Sequence, residues 1–450
     1  MKRFLPLCLA SCALFAQEAP ADRLIHEIAA RAELMPNLEA LCDGIGPRLT
    51  GSARLRQAQA WAMARLKAYG AVNVHEEAYD LGRPWHRGGA RARLLNANGQ
   101  ALGLAQMAWT EGTGGPVRGE VVFLETKTVQ ELEAVAPKLR GRIVLALDHP
   151  HATDAERKDM HAYRARLAKA WGAARCGLLL LPSDKGNGLQ DMGGGPDLPY
   201  KRATAFITKE DAALLQRLAA RGVTPRVEAE LGGGFGPHPV KAFNVVGDFP
   251  GAERPDEVVI VAGHADSWDL GTGATDNGTG MVVAMEVLRA MKASGLRPKR
   301  TLRVVLFSGE EEGLLGSRAY LKTHAAELDK LQAVLVDDSG SGRITGFPDM
   351  QVDAWFTAMT AALAPAAPLG AMDVPYGIIR GSDQDSFFEQ GLPAFAPIQD
   401  PLDYETVTHH SQVDTVDHVD KAGLLQGAQV MAVAAWGLLN GERLPHQTKP

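Results

Sequence analysis

The sequence predicts an α/β fold with a parallel sheet, and two observations lead to this prediction. Apolar runs rich in β-branched residues, at 258–262, 302–307 and 333–336, have the length of buried strands. Helical-period segments at 281–291 and 314–328 separate them, and strands that alternate with helices of this length are typical of βαβ units. We therefore expect these strands to end at one edge of the sheet.

The start of the chain has the pattern of a secretory signal peptide at residues 1–16. Lys2 and Arg3 precede an apolar stretch that ends at Ala16, which is the order of regions in such signals. We predict an exported protein, periplasmic or secreted, with cleavage after Ala16. Residues 9–12 also match a bacterial lipobox, so a lipid-anchored Cys12 is the alternative.

The composition is that of a globular protein and excludes some classes of partner. The 450 residues are 46% apolar and 22% charged, which leaves room for about two or three domains. A net charge of -6 without a lysine or arginine block predicts no nucleic-acid partner. After the signal segment, no apolar run approaches the length of a membrane span.

Stretches rich in glycine and proline bound the middle of the chain, at 112–116 and 232–237. Between them, short predicted strands alternate with loops, at 119–124, 142–147 and 176–181. We interpret residues 112–236 as an inserted β-rich domain. The remaining domain then consists of residues 17–111 and 237–450. Cys42 and Cys176 are either bridged or two separate buried thiols.

Metal-ligating side chains follow the first predicted strand. His264 and Asp266 are two residues apart, so on extended backbone their side chains point to one face. We expect the Asp266 carboxylate to hold the His264 imidazole in one tautomer. Asp276 opens a glycine-punctuated turn before a helix, where its two oxygens can bridge two metals. A capping aspartate and a buried histidine are the alternatives.

Adjacent carboxylates follow the next two strands. Glu310 and Glu311 repel each other when buried together, so we expect one to bind metal and the other to be a general base. A solvated acidic turn is the alternative. Asp338, directly after Asp337, repeats this pattern at the end of the third strand, with a simple turn as its alternative.

A histidine pair, His409 and His410, supplies the last candidate ligand. It lies in a polar stretch after residues 392–398, which are a candidate for a further strand. One of the two histidines can bind metal through a ring nitrogen, and a surface histidine pair is the alternative.

These candidates can be counted as two half-sites. His264 and Asp338 would serve one zinc, Glu311 and His410 the other, and Asp276 would bridge, which leaves each metal one open position for a shared water. Two divalent ions offset three carboxylates and one hydroxide. Oxygen and nitrogen ligands suit Zn2+, and Co2+ or Mn2+ fit the same set.

The motifs resemble the co-catalytic di-zinc exopeptidases, a family that includes bacterial leucyl aminopeptidases and plasma glutamate carboxypeptidase, also called carboxypeptidase Q. The carboxypeptidase Q branch is the more similar one, on the motif at 263–269, the run before Asp338 and the double histidine before Ser411. Similarity extends to residues 45–52, so it covers nearly the whole mature chain.

The resemblance implies a zinc-exopeptidase-like α/β/α sandwich with a mixed, mainly parallel central sheet. Residues 112–236 would be an inserted protease-associated domain that covers or frames the substrate site, and a homodimer is expected. Carried over by motif position, Glu310 is the general base and the two zinc ions are held by a set of five residues, His264, Asp276, Glu311, Asp338 and His410. His410 is chosen because it directly precedes Ser411.

The implied activity is hydrolysis of short unblocked peptides, with dipeptides favoured. A water shared by the two zinc ions would lose its proton to Glu310, attack the peptide carbonyl, and leave Glu310 to protonate the amine. An aminopeptidase that trims longer peptides is the first alternative. A non-catalytic binding protein on the same scaffold is the second, although all ligands and the base are present.

The substrate end of the site departs from the common pattern of the family. Gln384 stands where many aminopeptidase relatives have histidine. Ser382, Asp383 and Tyr404 are candidates for contacts with the substrate. Tyr404 can stabilise an oxyanion or can serve only in packing.

Overall fold

The computed structural model describes residues 18–447 except 149, 154 and 199. The predicted signal peptide at 1–16, including Cys12, lies outside the described residues. The described α-helices are α1 (Pro20–Arg31), α2 (Leu34–Glu39), α3 (Ala53–Ala68), α4 (Val129–Val135), α5 (Met160–Ala174), α6 (Lys209–Ala220), α7 (Thr279–Ala293), α8 (Leu315–Thr323), α9 (Asp353–Leu363), α10 (Gln384–Phe388) and α11 (Lys421–Asn440). The described strands are β1 (Val72–Gly82), β2 (Trp85–His86), β3 (Ala90–Leu94), β4 (Ala101–Leu102), β5 (Leu104–Gln106), β6 (Val117–Leu124), β7 (Ile143–Ala146), β8 (Leu178–Pro182), β9 (Thr204–Ile207), β10 (Arg226–Leu231), β11 (Gly234–Phe235), β12 (Val240–Phe249), β13 (Arg254–His264), β14 (Arg300–Phe307), β15 (Leu331–Val336), β16 (Ile344–Gly346), β17 (Ala394–Phe395) and β18 (Ile398–Gln399).

A mixed six-stranded sheet carries the predicted βαβ units. Its order is β1–β12–β14–β13–β15–β17. Strands β14, β13, β15 and β17 are parallel, whereas β1 and β12 add two antiparallel pairings. The three predicted strands correspond to β13, β14 and β15, and the helix predicted at 281–291 corresponds to α7. The prediction of a single strand at 392–398 is wrong. Only Ala394–Phe395 joins this sheet, whereas Ile398–Gln399 pairs with β16.

Both faces of this sheet are buried under helices. Val259 and Val261 belong to the core that includes α7 and α11, while Ile260 and Ala262 belong to the core that includes α8. This alternation follows from the two-residue period of a strand. Because both faces are covered, the strands read as continuous apolar runs rather than as alternating patterns.

A second sheet of eight strands has its own two cores. Its order is β4–β3–β10–β6–β7–β8–β9–β5. Helix α6 covers one face, whereas α4 and α5 cover the other. The strands predicted at 119–124, 142–147 and 176–181 correspond to β6, β7 and β8. Strands β3, β4 and β5 precede residue 112 yet belong to this sheet, because β3 pairs with β10, β4 with β3, and β5 with β9.

Two further expectations concern the cysteines and the membrane. Cys42 and Cys176 are separate buried thiols, so the structure selects one of the two alternatives left open by the sequence. Helix α11 is long and apolar enough to cross a membrane by length and composition, which the run-length prediction missed. In the fold, 78% of its apolar window is buried, as is usual for a core helix.

Candidate metal centre

Three neighbouring parallel strands end at the edge where the candidate ligands lie. His264 is the last residue of β13, Glu310 follows β14, and Asp338 follows β15. The parallel register of β13 with β14 and β15 places these strand ends side by side. The topology of the sheet therefore gathers residues that are far apart in sequence.

Asp276 is positioned by a turn of π-helix, Ala274–Gly278, directly before α7. The Asp414 carboxylate accepts hydrogen bonds from the backbone N–H of Thr275 at 2.7 Å and of Asp276 at 3.1 Å. Asn277 Nδ2 donates to the Asp337 carbonyl oxygen at 2.8 Å, which ties this turn to the end of β15. Asp414 was absent from the predicted site, although the motif after His410 contains it.

The two oxygens of Asp276 face two different partners. Oδ1 lies 3.1 Å from His264 Nε2, and that nitrogen lies 3.3 Å from Asp338 Oδ1. Oδ2 lies 3.5 Å from His410 Nε2, and that nitrogen lies 2.9 Å from Glu311 Oε2. The structure thus brings all five predicted ligands together, with Asp276 between a His264 half and a His410 half.

This cluster fits divalent cations better than it fits an empty acidic pocket. Asp276 Oδ2 and Glu311 Oε1 are buried without a hydrogen-bond donor among the described residues, a costly state for a carboxylate oxygen. Burial, and then the neighbouring Asp276 carboxylate, raises the pKa of Glu311 well above its usual range. Oxygen and nitrogen atoms without thiolate are ligands that zinc accepts.

The adjacent histidines differ in their surroundings. Ring nitrogens of both lie within 4.8 Å of an Asp276 oxygen, so distance to Asp276 alone does not separate them. His410 also contacts Glu311, whereas His409 Nδ1 lies 3.5 Å from Glu405, whose side chain is 68% exposed. The contact with Glu311 favours His410 as the ligand.

Asp266 contacts His264, as expected, but with its backbone oxygen rather than with its carboxylate. His264 Nδ1 is 3.0 Å from the backbone oxygen of Asp266 and 3.6 Å from its carboxylate. The carboxylate accepts a hydrogen bond from Thr50 Oγ1 at 3.0 Å. The expected tautomer control therefore comes from a backbone carbonyl, which a pattern of side chains does not reveal.

A cavity of about 590 Å³ opens over the cluster. Glu310, Ser382 and Tyr404 line it, together with the two histidines. The Glu310 side chain is 11% exposed and lies 4.0 Å from His264 Nε2. Asp383 is fully buried and does not line this cavity, so its contact with the substrate stays a prediction.

Arg48 is a fully buried cation that the sequence prediction missed. Its guanidinium donates to the carbonyl oxygens of Ala265 at 2.8 Å, Thr272 at 2.7 Å and Gly273 at 2.8 Å. These carbonyls lie on the loop that joins His264 to the Asp276 turn. Arg48 lies in the turn-rich segment at 45–52, so its position in that motif was the available signal.

Replacing Arg48 by methionine is expected to lower the free energy of unfolding by about 2–4 kcal/mol, because it leaves buried carbonyls without donors. Urea unfolding of the metal-free protein measures this. Arg48→Lys, which keeps the charge but has fewer donors, should lose less. A loss below about 1 kcal/mol for methionine would show that the carbonyls find other donors.

A loop of the second sheet braces the His410 segment. His410 has a φ of 54°, in the left-handed region that residues other than glycine seldom adopt. Met192 N donates to the His410 carbonyl oxygen at 2.8 Å, and Gln190 N donates to Gln412 Oε1 at 2.8 Å. The backbone around His410 is therefore held from outside the six-stranded sheet.

Comparison with known proteins agrees with this geometry. The model of peptidase family M28 matches residues 244–435. Carboxypeptidase Q of Mus musculus is 32% identical over 406 residues, which covers 89% of this chain and 84% of the relative. The chain belongs to peptidase family M28.

Solved structures extend the likeness over the full fold. A peptidase M28 precursor from Shewanella amazonensis has a TM-score of 0.83 at 28% identity, covering 95% of this chain and 98% of its own. A zinc aminopeptidase from Bacillus subtilis has a TM-score of 0.67 at 20% identity, covering 95% and 97%. This M28 chain is therefore a metallo-exopeptidase with the mixed α/β fold of its family.

Proposed function

We propose that this M28 peptidase is an exported di-zinc exopeptidase that hydrolyses short unblocked peptides, preferentially dipeptides. One observation carries the proposal: the two carboxylate oxygens of Asp276 face His264 on one side and His410 on the other. That arrangement suits a carboxylate shared by two metals. The similarity to carboxypeptidase Q along most of the chain favours a carboxypeptidase-like substrate.

The residues that would hold zinc fall into two halves. His264 and Asp338 would hold one ion, Glu311 and His410 the other, and Asp276 both. Zinc bound here would supply Lewis acidity and lower the pKa of water. Co2+ or Mn2+ would fit the same donors.

Glu310 would move the proton in this reaction. Its carboxylate lines the cavity beside His264 and hydrogen-bonds no metal-binding side chain among the described residues. Without bound metal, burial raises the pKa of Glu310 well above its usual range. The positive charge of bound zinc would lower that pKa and keep the carboxylate ready to accept the proton of water. Glu310 would then return the proton to the leaving amine. Tyr404 and Ser382, which also line the cavity, would contact the substrate.

The second sheet would be the inserted protease-associated domain, beginning before residue 112 because β3, β4 and β5 belong to it. Its loop at 188–195 would frame the site through the bond from Met192 N to the His410 carbonyl oxygen. The signal-like sequence at residues 1–16 supports export. We also propose that the protein is a homodimer, because it resembles carboxypeptidase Q.

Product analysis by mass spectrometry tests the function. The zinc-loaded protein without residues 1–16 is mixed with free dipeptides, longer peptides and N-blocked peptides, with and without a chelator. Chelator-sensitive cleavage confined to dipeptides is expected. Stepwise trimming of the longer peptides would make the enzyme an aminopeptidase instead. Absence of cleavage despite bound zinc would favour a binding protein.

The histidine pair provides a matched test of the ligand set. His410→Ala should lower the zinc affinity of one of the two sites by more than about a hundredfold. A hundredfold is the upper end of the loss expected when a residue that only orients a ligand is removed. His409→Ala should keep both zinc ions, because His409 lacks the contact with Glu311. Metal content after dialysis against graded chelator measures both variants. The reverse result would transfer the ligand role to His409.

A further inference from the structure

One cationic side chain stands out in the candidate active-site cavity. Arg380 is the only lysine or arginine among the described residues that line it. Six lining residues are acidic: Asp276, Glu310, Glu311, Asp338, Asp385 and Glu405. Arg380 is therefore the one permanently charged cation that this described lining presents to an anionic substrate.

The guanidinium is held in place before any substrate arrives. Nε lies 2.7 Å from Asp385 Oδ1, and Nη2 donates to Glu389 Oε1 at 2.7 Å. The group also lies 5.4 Å from the centre of the Phe388 ring. The backbone N–H of Gly381 donates to Asp385 Oδ2 at 2.9 Å, which fixes the same carboxylate to the loop. A planar fork held this way loses little entropy on binding an anion.

Arg380 can still donate hydrogen bonds to another carboxylate. Its side chain is 43% exposed, and the contacts to Asp385 and Glu389 use Nε and Nη2. The N–H groups of Nη1 stay available among the described contacts. Guanidinium groups bind carboxylates through several parallel N–H bonds, so a third carboxylate can share this fork.

The charges of the cavity make such a cation necessary for one class of substrate. Zinc ions would compensate Asp276, Glu311 and Asp338, and Arg380 already pairs with Asp385. Glu310 and Glu405 also line the cavity and have only histidine partners among the described residues. A peptide with a free carboxylate beside its scissile bond would be repelled by these groups unless a cation received it. The cavity wall offers Arg380 for this role.

We propose that Arg380 binds the terminal carboxylate of the substrate and thereby makes the enzyme select free dipeptides over dipeptides with a blocked carboxyl end. This rests on the proposed function, since it assumes cleavage at the zinc centre. Arg380 is then a determinant of specificity for the residue that leaves.

A matched pair of substrates tests the proposal: one dipeptide with a free carboxylate and the same dipeptide as its C-terminal amide. For the free dipeptide, Arg380→Gln should lower kcat/KM by about tenfold or more, mainly through KM, as expected for losing a charge-assisted pair. The amide should be cleaved equally by both proteins, which also shows that the variant is folded. Arg380→Lys should lie between them.

The control variant is Arg91→Gln, which removes the same charge from β3, where the Arg91 side chain is 78% exposed. It should leave both substrates unaffected. If wild type cleaves acid and amide equally, or Arg380→Gln affects both equally, the role of Arg380 is wrong while the exopeptidase function stands. If wild type cleaves neither, the proposed function fails and the role of Arg380 fails with it.

Discussion

Replacing Glu310 by glutamine is expected to lower kcat by about a hundredfold to ten-thousandfold, the usual contribution of a general base. Glutamine keeps the shape of the side chain but cannot accept the proton of water. Because Glu310 lies outside the proposed ligand set, zinc content should stay at the wild-type value. Steady-state kinetics on a free dipeptide, together with metal analysis of the same sample, measure both quantities.

The matched control is Glu312→Gln, in the same acidic turn. Glu312 is buried but does not line the cavity, so its loss should change kcat far less than the loss of Glu310. Substantial turnover by Glu310→Gln would remove Glu310 from the role of base. Loss of zinc by Glu310→Gln would instead make Glu310 part of the metal site.

Replacing Asp276 by asparagine is expected to weaken zinc binding at both halves of the site. An amide offers one oxygen, whereas the carboxylate has oxygens 3.1 Å from His264 Nε2 and 3.5 Å from His410 Nε2. We expect no more than one bound zinc per chain. Activity should fall by more than about a hundredfold, which exceeds the usual loss on removing a residue that only orients a metal ligand. Equilibrium dialysis with metal analysis gives the stoichiometry.

Asp266→Asn serves as the comparison for Asp276. The Asp266 carboxylate accepts a hydrogen bond from Thr50, and its backbone oxygen contacts His264. Because asparagine keeps the backbone oxygen that faces His264, we expect less than about a tenfold loss of zinc affinity, below the usual cost of removing an orienting group, with two ions still bound at saturating zinc. Equal zinc stoichiometry in both variants would argue against a bridging Asp276.

The sequence could predict the parallel strands and the gathering of the ligands because both depend on local patterns. Apolar runs mark β13, β14 and β15, and parallel strands place the residues after them at one edge. His264, Glu311 and Asp338 each follow such a run within two to four residues. Their convergence is therefore a consequence of topology, without any knowledge of side-chain contacts.

Other features depend on contacts between distant segments, which no local pattern contains. Arg48 reaches the carbonyl oxygen of Gly273, and Met192 N reaches that of His410. Strands β3 to β5 join the second sheet through pairings with β9 and β10, so a linker-like composition at 112–116 did not mark its start. Arg380 is recognisable only once the cavity that it lines is known.

A zinc-edge anomalous difference map from crystals of the zinc-loaded protein tests whether two zinc ions share Asp276. We expect two peaks of comparable height on either side of the Asp276 carboxylate, one beside His264 and Asp338 and the other beside Glu311 and His410. A single peak at full zinc loading, or a second peak that His410 does not contact, would contradict it.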